Sequence, residues 1–335
     1  MSAEIKPRIN LDKRTKLEEV IPLKTPFVIF VDPSDACNFK CKFCPTGDRE
    51  LMRKVGRPLQ TMSFDLFKKI VDDINEFDDP LKVLRLYKDG EPLLNPRLAD
   101  MIKYAKSSSK IKSVDTTTNA SLFTKDKNLE IIEAGLDRIN ISIEGVNNKQ
   151  YREFSDYKIN FDKFVGNIKH FYENKRQCEV IIKINGDLIS EDDKNFFYEV
   201  FHDIADGISI EHVMSCWPEF KLNGIEVNME KGLYGQKIEE VLVCPYVFYS
   251  FSINSDGAAS LCFLDWSRRL IIGNANQDSL KDIWFGNNIR EYQKMFLTKN
   301  RKQHPVCHNC GQLTHGLPDN VDNYAERLLI KIQSE

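Results

Sequence analysis

The sequence has no long apolar run and little net charge, and each absence removes a class of protein. No stretch approaches the roughly eighteen apolar residues that a membrane-spanning helix needs. Its 335 residues carry a net charge of -3, which gives no reason to expect a nucleic acid or an anionic membrane as partner. Residues 1–19 are polar and lack the apolar core of a signal peptide, so we expect a cytoplasmic protein.

A disulfide framework is not expected either, although the chain has nine cysteines. A reducing cytoplasm disfavours disulfides, and an odd number of cysteines cannot pair completely. In chain order they are Cys37, Cys41, Cys44, Cys178, Cys216, Cys244, Cys262, Cys307 and Cys310. Three are grouped near the N-terminus and four lie in the last third of the chain. This grouping predicts two metal centres and two spare thiols.

The first group, Cys37, Cys41 and Cys44, follows a short apolar run that predicts a buried strand. Three thiolates on one loop can hold three irons of a [4Fe–4S] cube and leave the fourth iron open to a small molecule. The alternatives are a zinc knuckle, which needs a fourth nearby ligand, or three unrelated buried thiols.

Apolar segments alternate with helical patterns from residue 27 to residue 212. The predicted strands are 27–31, 81–87, 111–117, 138–143, 179–184 and 207–212, and the predicted helices between them are 63–77, 98–106, 126–134, 161–173 and 191–204. This alternation is typical of a parallel α/β sheet, either doubly wound or an incomplete (β/α) barrel. In both folds the active site forms at the C-terminal ends of the strands. After a break at 223–235, Asp256-Gly257 between two short apolar segments predicts a hairpin.

Polar motifs follow three of the predicted strands at this edge. They are Gly90-Glu91 after the second strand, Thr118-Asn119 after the third, and Ser142 with Glu144 after the fourth. Each of the first two can also be an ordinary polar turn. Together with the CxxxCxxC spacing, the motifs resemble those of the radical S-adenosylmethionine (SAM) superfamily, although Asp89 stands where relatives usually have a first glycine. The resemblance implies that these residues contact SAM and that the fold is a partial (β/α)6 TIM-type barrel.

The same resemblance implies the chemistry. A reduced [4Fe–4S] cluster passes an electron to SAM, which releases methionine and a 5′-deoxyadenosyl radical that takes a hydrogen atom from an unactivated C–H bond. The protein positions the reactants and excludes water. The implied partners are a small-molecule substrate and an electron donor such as flavodoxin or ferredoxin.

The second group consists of Cys244, Cys262, Cys307 and Cys310. Four thiolates can fully ligate a second [4Fe–4S] cluster, but the last two also match half of a structural zinc ribbon. The spacing, with the hairpin and the segment 280–284, resembles the shortened SPASM or "twitch" extension found in the butirosin-pathway dehydrogenase group. That resemblance implies one auxiliary cluster, which takes up an electron from a substrate radical.

Three residues at or beyond the end of the predicted strand 207–212 are candidate catalytic groups. A thiol at Cys216, near the expected active-site mouth, can give a hydrogen atom to a substrate radical, as an epimerase requires. A packed, inert cysteine beside Trp217 is the alternative. His212 and Glu219 are candidate bases or substrate contacts, or solvated side chains. Cys178 begins a strand and is expected to be a buried apolar residue.

The chain is thus predicted to have an N-terminal surface arm (1–24), a barrel (25–222), a small β-hairpin/helix auxiliary-cluster domain (236–315) and a C-terminal helix (316–335). We expect a radical SAM oxidoreductase that dehydrogenates a sugar-like or cyclitol-like molecule. Lys183, Asn185 and Arg85 are further candidates to hold hydroxyls or a phosphate. A sugar epimerase, a peptide or protein maturase and a non-enzymatic metal-binding protein are the alternatives.

Overall fold

One ten-stranded sheet organises the computed structural model, which describes residues 3–9, 14–222, 224–225 and 227–334. The strands are β1 (Glu4–Ile5), β2 (Val28–Val31), β3 (Val83–Arg85), β4 (Val114–Thr118), β5 (Arg138–Ile143), β6 (Glu179–Asn185), β7 (Gly207–Glu211), β8 (Ser250–Ile253), β9 (Ala258–Ser260) and β10 (Ile271–Asn274). The helices are α1 (Leu17–Val20), α2 (Arg49–Lys54), α3 (Phe64–Asn75), α4 (Leu98–Ser107), α5 (Lys125–Ala134), α6 (Asn148–Ser155), α7 (Phe161–Asn174), α8 (Glu191–Phe201), α9 (Leu280–Phe285), α10 (Asn287–Leu297), α11 (Gln312–His315) and α12 (Ala325–Gln333). None of these helices has the length and apolar character needed to cross a membrane.

The strand order shows a partial barrel extended at both edges. The strands are ordered β1-β7-β6-β5-β4-β3-β2-β8-β9-β10, and every pair from β1 to β8 is parallel. Strands β2 to β7 follow one another in sequence and are connected through helices, which confirms the predicted (β/α)6 unit. Strand β8 adds to β2 in parallel, and β9 and β10 follow antiparallel, so the predicted hairpin continues the barrel sheet.

The two faces of the barrel sheet differ in polarity. In β5, Ile139, Ile141 and Ile143 are buried in the apolar core between sheet and helices, whereas Asn140 and Ser142 face the lumen. Strands β6 and β7 alternate in the same way, except that Ile181 of β6 is an apolar residue on the lumen side. The apolar core therefore lies outside the barrel, and most lumen-facing positions of β5 to β7 are polar.

Four of the five predicted helices, α3, α5, α7 and α8, begin with a side-chain cap. The Ser63 side chain accepts a hydrogen bond from the Leu66 amide at 3.2 Å and so begins α3. Helix α5 ends at Gly135, whose φ of +88° is the left-handed conformation expected of a glycine cap. The tail helix predicted over 316–335 begins only at Ala325, after a 3-10 turn, and ends at Gln333.

The N-terminal arm is partly built into the fold, so the prediction of a surface arm is wrong for part of it. Strand β1 pairs with β7, and Ala3, Leu17 and Ile21 are buried in the core. Apolar residues spaced this far apart show no periodicity, which is why the sequence did not indicate their burial. Residues 1, 2 and 10–13 of the arm, 223 and 226 of the predicted break, and 335 of the tail lie outside the described residues.

A buried group of six ionisable side chains, here called the charge network, holds the β8–β10 region against the barrel. Its members are Asp32, Asp35, Asp89, Arg57, Lys88 and Arg268. Carboxylate oxygens of the three aspartates lie within 4.8 Å of one another. Burial and the other two carboxylates raise the pKa of Asp32 well above its ordinary value. The three cations offset this repulsion.

Two contacts of the charge network cross to the β8–β10 region. Arg268 Nη2 lies 2.5 Å from Asp35 Oδ2, and Ser255 also donates to that carboxylate. Lys88 pairs with Asp89 and donates to the carbonyl of Asp265 at 3.1 Å. The chain entering the first cysteine loop and the region of the second cysteine group are thereby fixed to each other.

We expect Arg268→Met to destabilise the protein far more than Arg269→Met, although the two residues are neighbours. Loss of Arg268, whose side chain is 10% exposed, leaves Asp35 buried without its counter-ion, a change that costs ~3–5 kcal/mol. Arg269 is 46% exposed in its pair with Glu219, and its loss costs less than ~1 kcal/mol. Urea unfolding followed by circular dichroism measures both. Equal effects would contradict a stabilising role for the charge network.

Candidate functional site

The first three cysteines lie in the loop that leaves the C-terminal end of β2. The Cys44 amide donates to the Cys41 carbonyl at 3.1 Å, which closes a turn within the motif. Arg49, from α2, donates to the Cys37 carbonyl and holds the start of the loop. The Lys40 amide donates to the Ser155 carbonyl at 2.8 Å, so α6 supports the loop from the other side.

The three thiols of this loop are close enough to affect one another. Burial and Glu91 raise the pKa of Cys37 to about 12. Burial, Glu144 and the other two thiols raise the pKa of Cys41, and burial raises that of Cys44. These thiols are therefore neutral unless a cation replaces their protons, which is the behaviour of metal ligands that release protons on binding. The donor set fits three corners of a [4Fe–4S] cluster.

The turn after β3 packs directly on the chain before Cys37. A Cβ on Gly90 would lie 2.0 Å from the Ser34 carbonyl oxygen and 2.3 Å from that of Ala36. Only glycine permits this approach. The Glu91 amide also donates to the Ala36 carbonyl at 2.8 Å, so the predicted glycine–glutamate motif lies beside the cysteine loop.

The Glu91 carboxylate joins the ends of β3 and β4. One oxygen accepts from the Thr118 hydroxyl at 2.6 Å and from the Leu93 amide at 3.0 Å, and the other accepts from the Asn119 amide at 2.8 Å. Burial nevertheless raises its pKa. The contact of Glu91 with the SAM amino group stays a prediction, and the structure adds a second task, which is to position the next motif.

Asn119 connects this motif to the cysteine loop. Its Nδ2 donates to Asn38 Oδ1 at 2.9 Å and lies 4.0 Å from Cys37 Sγ. Asn38 in turn donates to the Ser121 hydroxyl at 2.8 Å. Ala120, rather than an asparagine, has the left-handed conformation of this turn, with φ +54°.

The third motif ends β5 beside Cys41. Ser142 faces the lumen next to Lys183, its partner in the register of β5 and β6. Burial raises the pKa of Glu144 to about 6, although the nearby Lys183 ammonium opposes the shift. All three predicted rim motifs therefore surround the three-cysteine loop.

The second cysteine group also converges. Its members follow or precede separate turns: Cys244 before the turn 246–248, Cys262 after β9, and Cys307 and Cys310 at the turn 307–309. Burial raises the pKa of each thiol, and the other members raise those of Cys244, Cys262 and Cys307 further. Four thiols from distant parts of the chain therefore meet at one place.

The four thiols of the second group supply the complete ligand set of a [4Fe–4S] cluster. A structural zinc site would use the same four thiolates, so the metal content of the protein separates the two.

Cys216 lies between the two cysteine groups. Burial, then Cys310 and then Cys44, raise its pKa to about 12. A Cβ on Gly311 would lie 2.1 Å from the Ser215 carbonyl oxygen, so this segment packs on the residue that follows Cys310. Cys216 therefore lies near both cysteine groups, and its place at the mouth of the active site stays a prediction.

The other two candidate catalytic residues have charged partners. His212 Nδ1 lies 2.7 Å from Asp187 Oδ1, and Glu219 Oε2 lies 2.5 Å from Arg269 Nη1. The structure thus brings Cys216 to the cysteine groups and ties His212 and Glu219 to neighbouring loops. Their catalytic roles stay predictions. Cys178 is 3% exposed, as expected of a buried apolar residue.

Sequence analysis named Lys183, Asn185 and Arg85 as candidate substrate contacts but missed the charged side chains around them, which are Arg8, Asp115, Arg138 and Glu211. Glu211 Oε1 lies 2.6 Å from Arg8 Nε, and its Oε2 lies 3.5 Å from Lys183 Nζ. Arg85 and Asp115 form another pair at 3.3 Å. Strands of a parallel sheet that is covered on both faces are apolar throughout. Charged residues at alternate positions of the predicted strands were therefore a usable signal that one face of the sheet is polar.

Comparison with known proteins agrees with this geometry. Residues 31–198 match the radical SAM superfamily, and residues 244–311 match SPASM, an iron–sulfur cluster-binding domain. A probable GTP 3′,8-cyclase of Methanococcus maripaludis is 34% identical over 120 residues, which are 36% of this chain and 37% of that protein. The "Tungsten-containing aldehyde ferredoxin oxidoreductase cofactor-modifying protein" of Pyrococcus furiosus is 28% identical over 123 residues, 35% and 30% of the two chains. The chain spans about a third of the length of these relatives.

Solved structures share the fold over most of the chain. BtrN in complex with AdoMet and 2-DOIA matches with a TM-score of 0.56 and 16% identity, over 88% of this chain and 97% of BtrN. Streptococcus suis SuiB bound to S-adenosylmethionine matches with a TM-score of 0.60 and 17% identity, over 89% and 73%. At such identities the likeness shows the fold alone.

We expect the anaerobically reconstituted protein to bind about eight irons per chain, four at each cysteine group. Replacement of Cys262 by Ala is expected to leave about four irons, as is replacement of Cys41. Cys178→Ala serves as the matched control and is expected to retain all eight. Assays of iron, acid-labile sulfide and zinc measure this, and about four irons with one zinc in the unmodified chain would contradict the second cluster.

We also expect SAM to bind more weakly as the pH is lowered, because Glu144 becomes protonated. Its carboxyl is ionised above its pKa of about 6 and protonated below it, so a carboxylate contact to SAM is lost as the pH falls. If the protonated form does not bind, the affinity drops about tenfold per unit below pH 6. Calorimetry from pH 5.5 to 7.5 measures it. Glu144→Gln should bind SAM weakly at every pH, whereas Glu153→Gln, a change at an exposed residue, should behave like the unmodified protein. A pH dependence of SAM binding that is unchanged in Glu144→Gln would refute the contact.

Proposed function

The chain belongs to the radical SAM superfamily, and we propose that it is an oxidoreductase that dehydrogenates a small polyhydroxylated substrate of the sugar or cyclitol class. It is a radical SAM enzyme with a SPASM domain, and its cofactors are SAM, a SAM-binding [4Fe–4S] cluster and an auxiliary iron–sulfur cluster. When bound, these groups supply a 5′-deoxyadenosyl radical that removes a hydrogen atom, and a site that takes up an electron.

The residues that hold the cofactors follow from the geometry above. For the SAM-binding cluster we propose Cys37, Cys41 and Cys44, and for the auxiliary cluster Cys244, Cys262, Cys307 and Cys310. For SAM we propose Gly90, Glu91, Thr118, Asn119, Ser142 and Glu144. The convergence of these groups at one edge of the barrel supports the assignment. We retain the predicted divisions at residues 24, 222, 236 and 315 as proposals.

The single observation that carries the oxidoreductase proposal is the polar lumen below the three-cysteine loop. A TIM-type barrel interior is ordinarily filled by branched apolar residues. Here Ser142, Lys183, Ser209 and Glu211 face the interior near its cysteine end. Hydrogen-bonding side chains in such number suit a substrate that presents several hydroxyls.

A proton acceptor is available in the same place. Burial alone would raise the pKa of Glu211, but Arg8 and Lys183 together hold it below its usual range. Glu211 is therefore a carboxylate at neutral pH. We propose that it accepts the hydroxyl proton that a substrate loses after hydrogen abstraction, while Lys183 orients that hydroxyl.

Some of the similar proteins support a small substrate, whereas SuiB and anSMEcpe were crystallised with peptides. BtrN, which shares the fold over most of this chain, was crystallised with 2-DOIA, and several curated relatives are named GTP 3′,8-cyclases. Each of those names denotes a small ligand for that protein. A small electron carrier such as flavodoxin or ferredoxin is the proposed reductant. All nine cysteines are unpaired, which supports a cytoplasmic location.

A sugar epimerase is the second candidate, and the position of Cys216 favours it. The thiol lies near enough to Cys310 and Cys44 for both to raise its pKa, which supports a position beside the place where a substrate radical would form. A dehydrogenase instead needs no hydrogen-atom donor, because its substrate loses a proton and an electron. The fate of the substrate hydrogen therefore separates the two functions.

The test is a reaction in heavy water with dithionite, SAM and a panel of sugars and cyclitols. We expect substrate-dependent release of 5′-deoxyadenosine and a product oxidised by two electrons. Glu211→Gln should slow product formation by about 10²–10⁴-fold, and Cys216→Ala should remain active. Arg97→Gln, on the surface, is the control.

Two results would contradict the proposal. Solvent deuterium in an unoxidised product, lost in Cys216→Ala, would establish the epimerase instead. Failure of the whole panel to stimulate 5′-deoxyadenosine release would contradict a polyhydroxylated substrate of this class.

A further inference from the structure

A row of charged side chains crosses the lumen from the end of β3 to the starts of β4 and β5. Arg85 of β3 is the register partner of Asp115 of β4, which in turn is the partner of Arg138 of β5. Alternation places the side chains of this row on the lumen face. The Arg85 guanidinium also lies 5.5 Å from the ring of Phe30, the next position along the row.

This row lies below the SAM rim at a distance set by the strand. Arg138 precedes Ser142 by four residues in β5, and four residues of a parallel strand span about 13 Å. A substrate ring beside Ser142 and Lys183 can therefore extend a substituent toward Arg85 and Arg138. The lumen between the two levels contains Thr117 and Asn140.

The N-terminal segment closes the lumen beside this row. Arg138 donates to the carbonyl of Arg8, and Arg8 Nε lies 2.6 Å from Glu211 Oε1. Arg8 therefore adds a third guanidinium to the lumen. Its side chain is 25% exposed, and those of Arg85 and Arg138 are 28% and 24% exposed, so all three border open space.

Several buried polar atoms of the lumen have no hydrogen-bond partner within the described protein. The donors are Arg85 Nε, Arg138 Nε and the hydroxyls of Tyr234 and Ser209, and the acceptors are Asp115 Oδ1 and Asn140 Oδ1. Arg85 Nε lies 3.3 Å from Asp115 Oδ2, and Arg138 Nε lies 3.3 Å from Glu179 Oε2, but neither pair has hydrogen-bond geometry. Buried polar groups normally have hydrogen-bond partners. These atoms therefore point to an additional molecule that both accepts and donates hydrogen bonds.

The charge of the lumen points to an anion. Its cations are Arg8, Arg85, Arg138 and Lys183, and its buried carboxylates are Asp115 and Glu211. Glu179, the remaining partner of Arg138, is 44% exposed and therefore neutralises it only weakly. Two positive charges thus lack an equivalent buried carboxylate.

We propose that the lumen binds an anionic polyol, a sugar or cyclitol that carries a phosphate or carboxylate group. The anion lies on Arg85 and Arg138, and the hydroxyls donate to Asp115 and Asn140. Guanidinium groups recognise such anions through paired, charge-assisted hydrogen bonds. The inference rests on the proposed function and narrows its substrate class from any polyol to an acidic one.

Binding can be measured without radical chemistry. Calorimetry on the anaerobically reconstituted full chain with SAM present compares four probes: glucose, glucose 1-phosphate, glucuronate and inorganic phosphate. We expect at least one anionic sugar to bind ten or more times more tightly than glucose, and inorganic phosphate to compete with it. A preference for glucose 1-phosphate identifies a phosphate site, and a preference for glucuronate identifies a carboxylate site.

Matched variants locate the anion. Arg85→Gln should weaken the anionic probe at least tenfold and leave glucose nearly unchanged, whereas Arg176→Gln, an exposed arginine in a loop, should change neither. Iron content and circular dichroism check that the variants are folded. The comparison among probes in the unmodified chain stands even if Arg85→Gln fails to fold.

Three outcomes would overturn the proposal. They are equal affinity for glucose and both anionic sugars, no binding of any anionic probe at millimolar concentration, and equal weakening by Arg85→Gln and Arg176→Gln. Anion selectivity without 5′-deoxyadenosine release from any acidic polyol would overturn the dehydrogenase function and leave the binding site. If a neutral polyol stimulates release of 5′-deoxyadenosine and the protein shows no preference for anionic sugars, only the acidic substrate class is overturned.

Discussion

Six ionisable side chains buried between the barrel and the β8–β10 region set the positions of both cysteine groups. Asp35 lies two residues before Cys37, Asp89 directly precedes Gly90, and Arg268 follows Cys262 by six residues. Ions removed from water are held only by close partners, so the geometry of such a group is tightly determined. The relative placement of the SAM site and the auxiliary site is therefore a consequence of electrostatics at their shared boundary, as well as of the apolar core around the barrel.

The charge network also accounts for the departure from the usual motif at Asp89. The family resemblance implies a glycine at this position, but in this chain the Asp89 side chain has buried partners in Lys88 and Arg57. Its carbonyl accepts from the Thr46 hydroxyl at 2.8 Å, and Arg57 donates to the same hydroxyl. Aspartate at position 89 therefore places a carboxylate where two cations pair with it. Gly90, which contacts the chain before Cys37 without room for a side chain, is retained.

Local patterns gave most of the fold and about half of the site. The six barrel strands follow from alternating apolar segments, and the cysteines and rim motifs follow from short spacings at strand ends. Lys183, Asn185 and Arg85 were predicted as substrate contacts, but the rest of the lumen and the charge network were missed because their partners are far apart in the chain. Arg8 and Glu211 are 203 residues apart, and Asp35 and Arg268 are 233 apart. No periodicity relates such positions, and only the three-dimensional fold brings them together.

The parallel pairing of β8 with β2 has a consequence for how this architecture can change over evolution. Val28 to Val31 form backbone partners with Ser250 to Ile253, so the auxiliary region completes the sheet on that side. A chain that ended before β8 would expose β2 as a free edge, and unpaired edges recruit strands from other molecules. The auxiliary region is therefore not an interchangeable appendage. A descendant that no longer needed a second cluster would still need a strand paired with β2 at that edge.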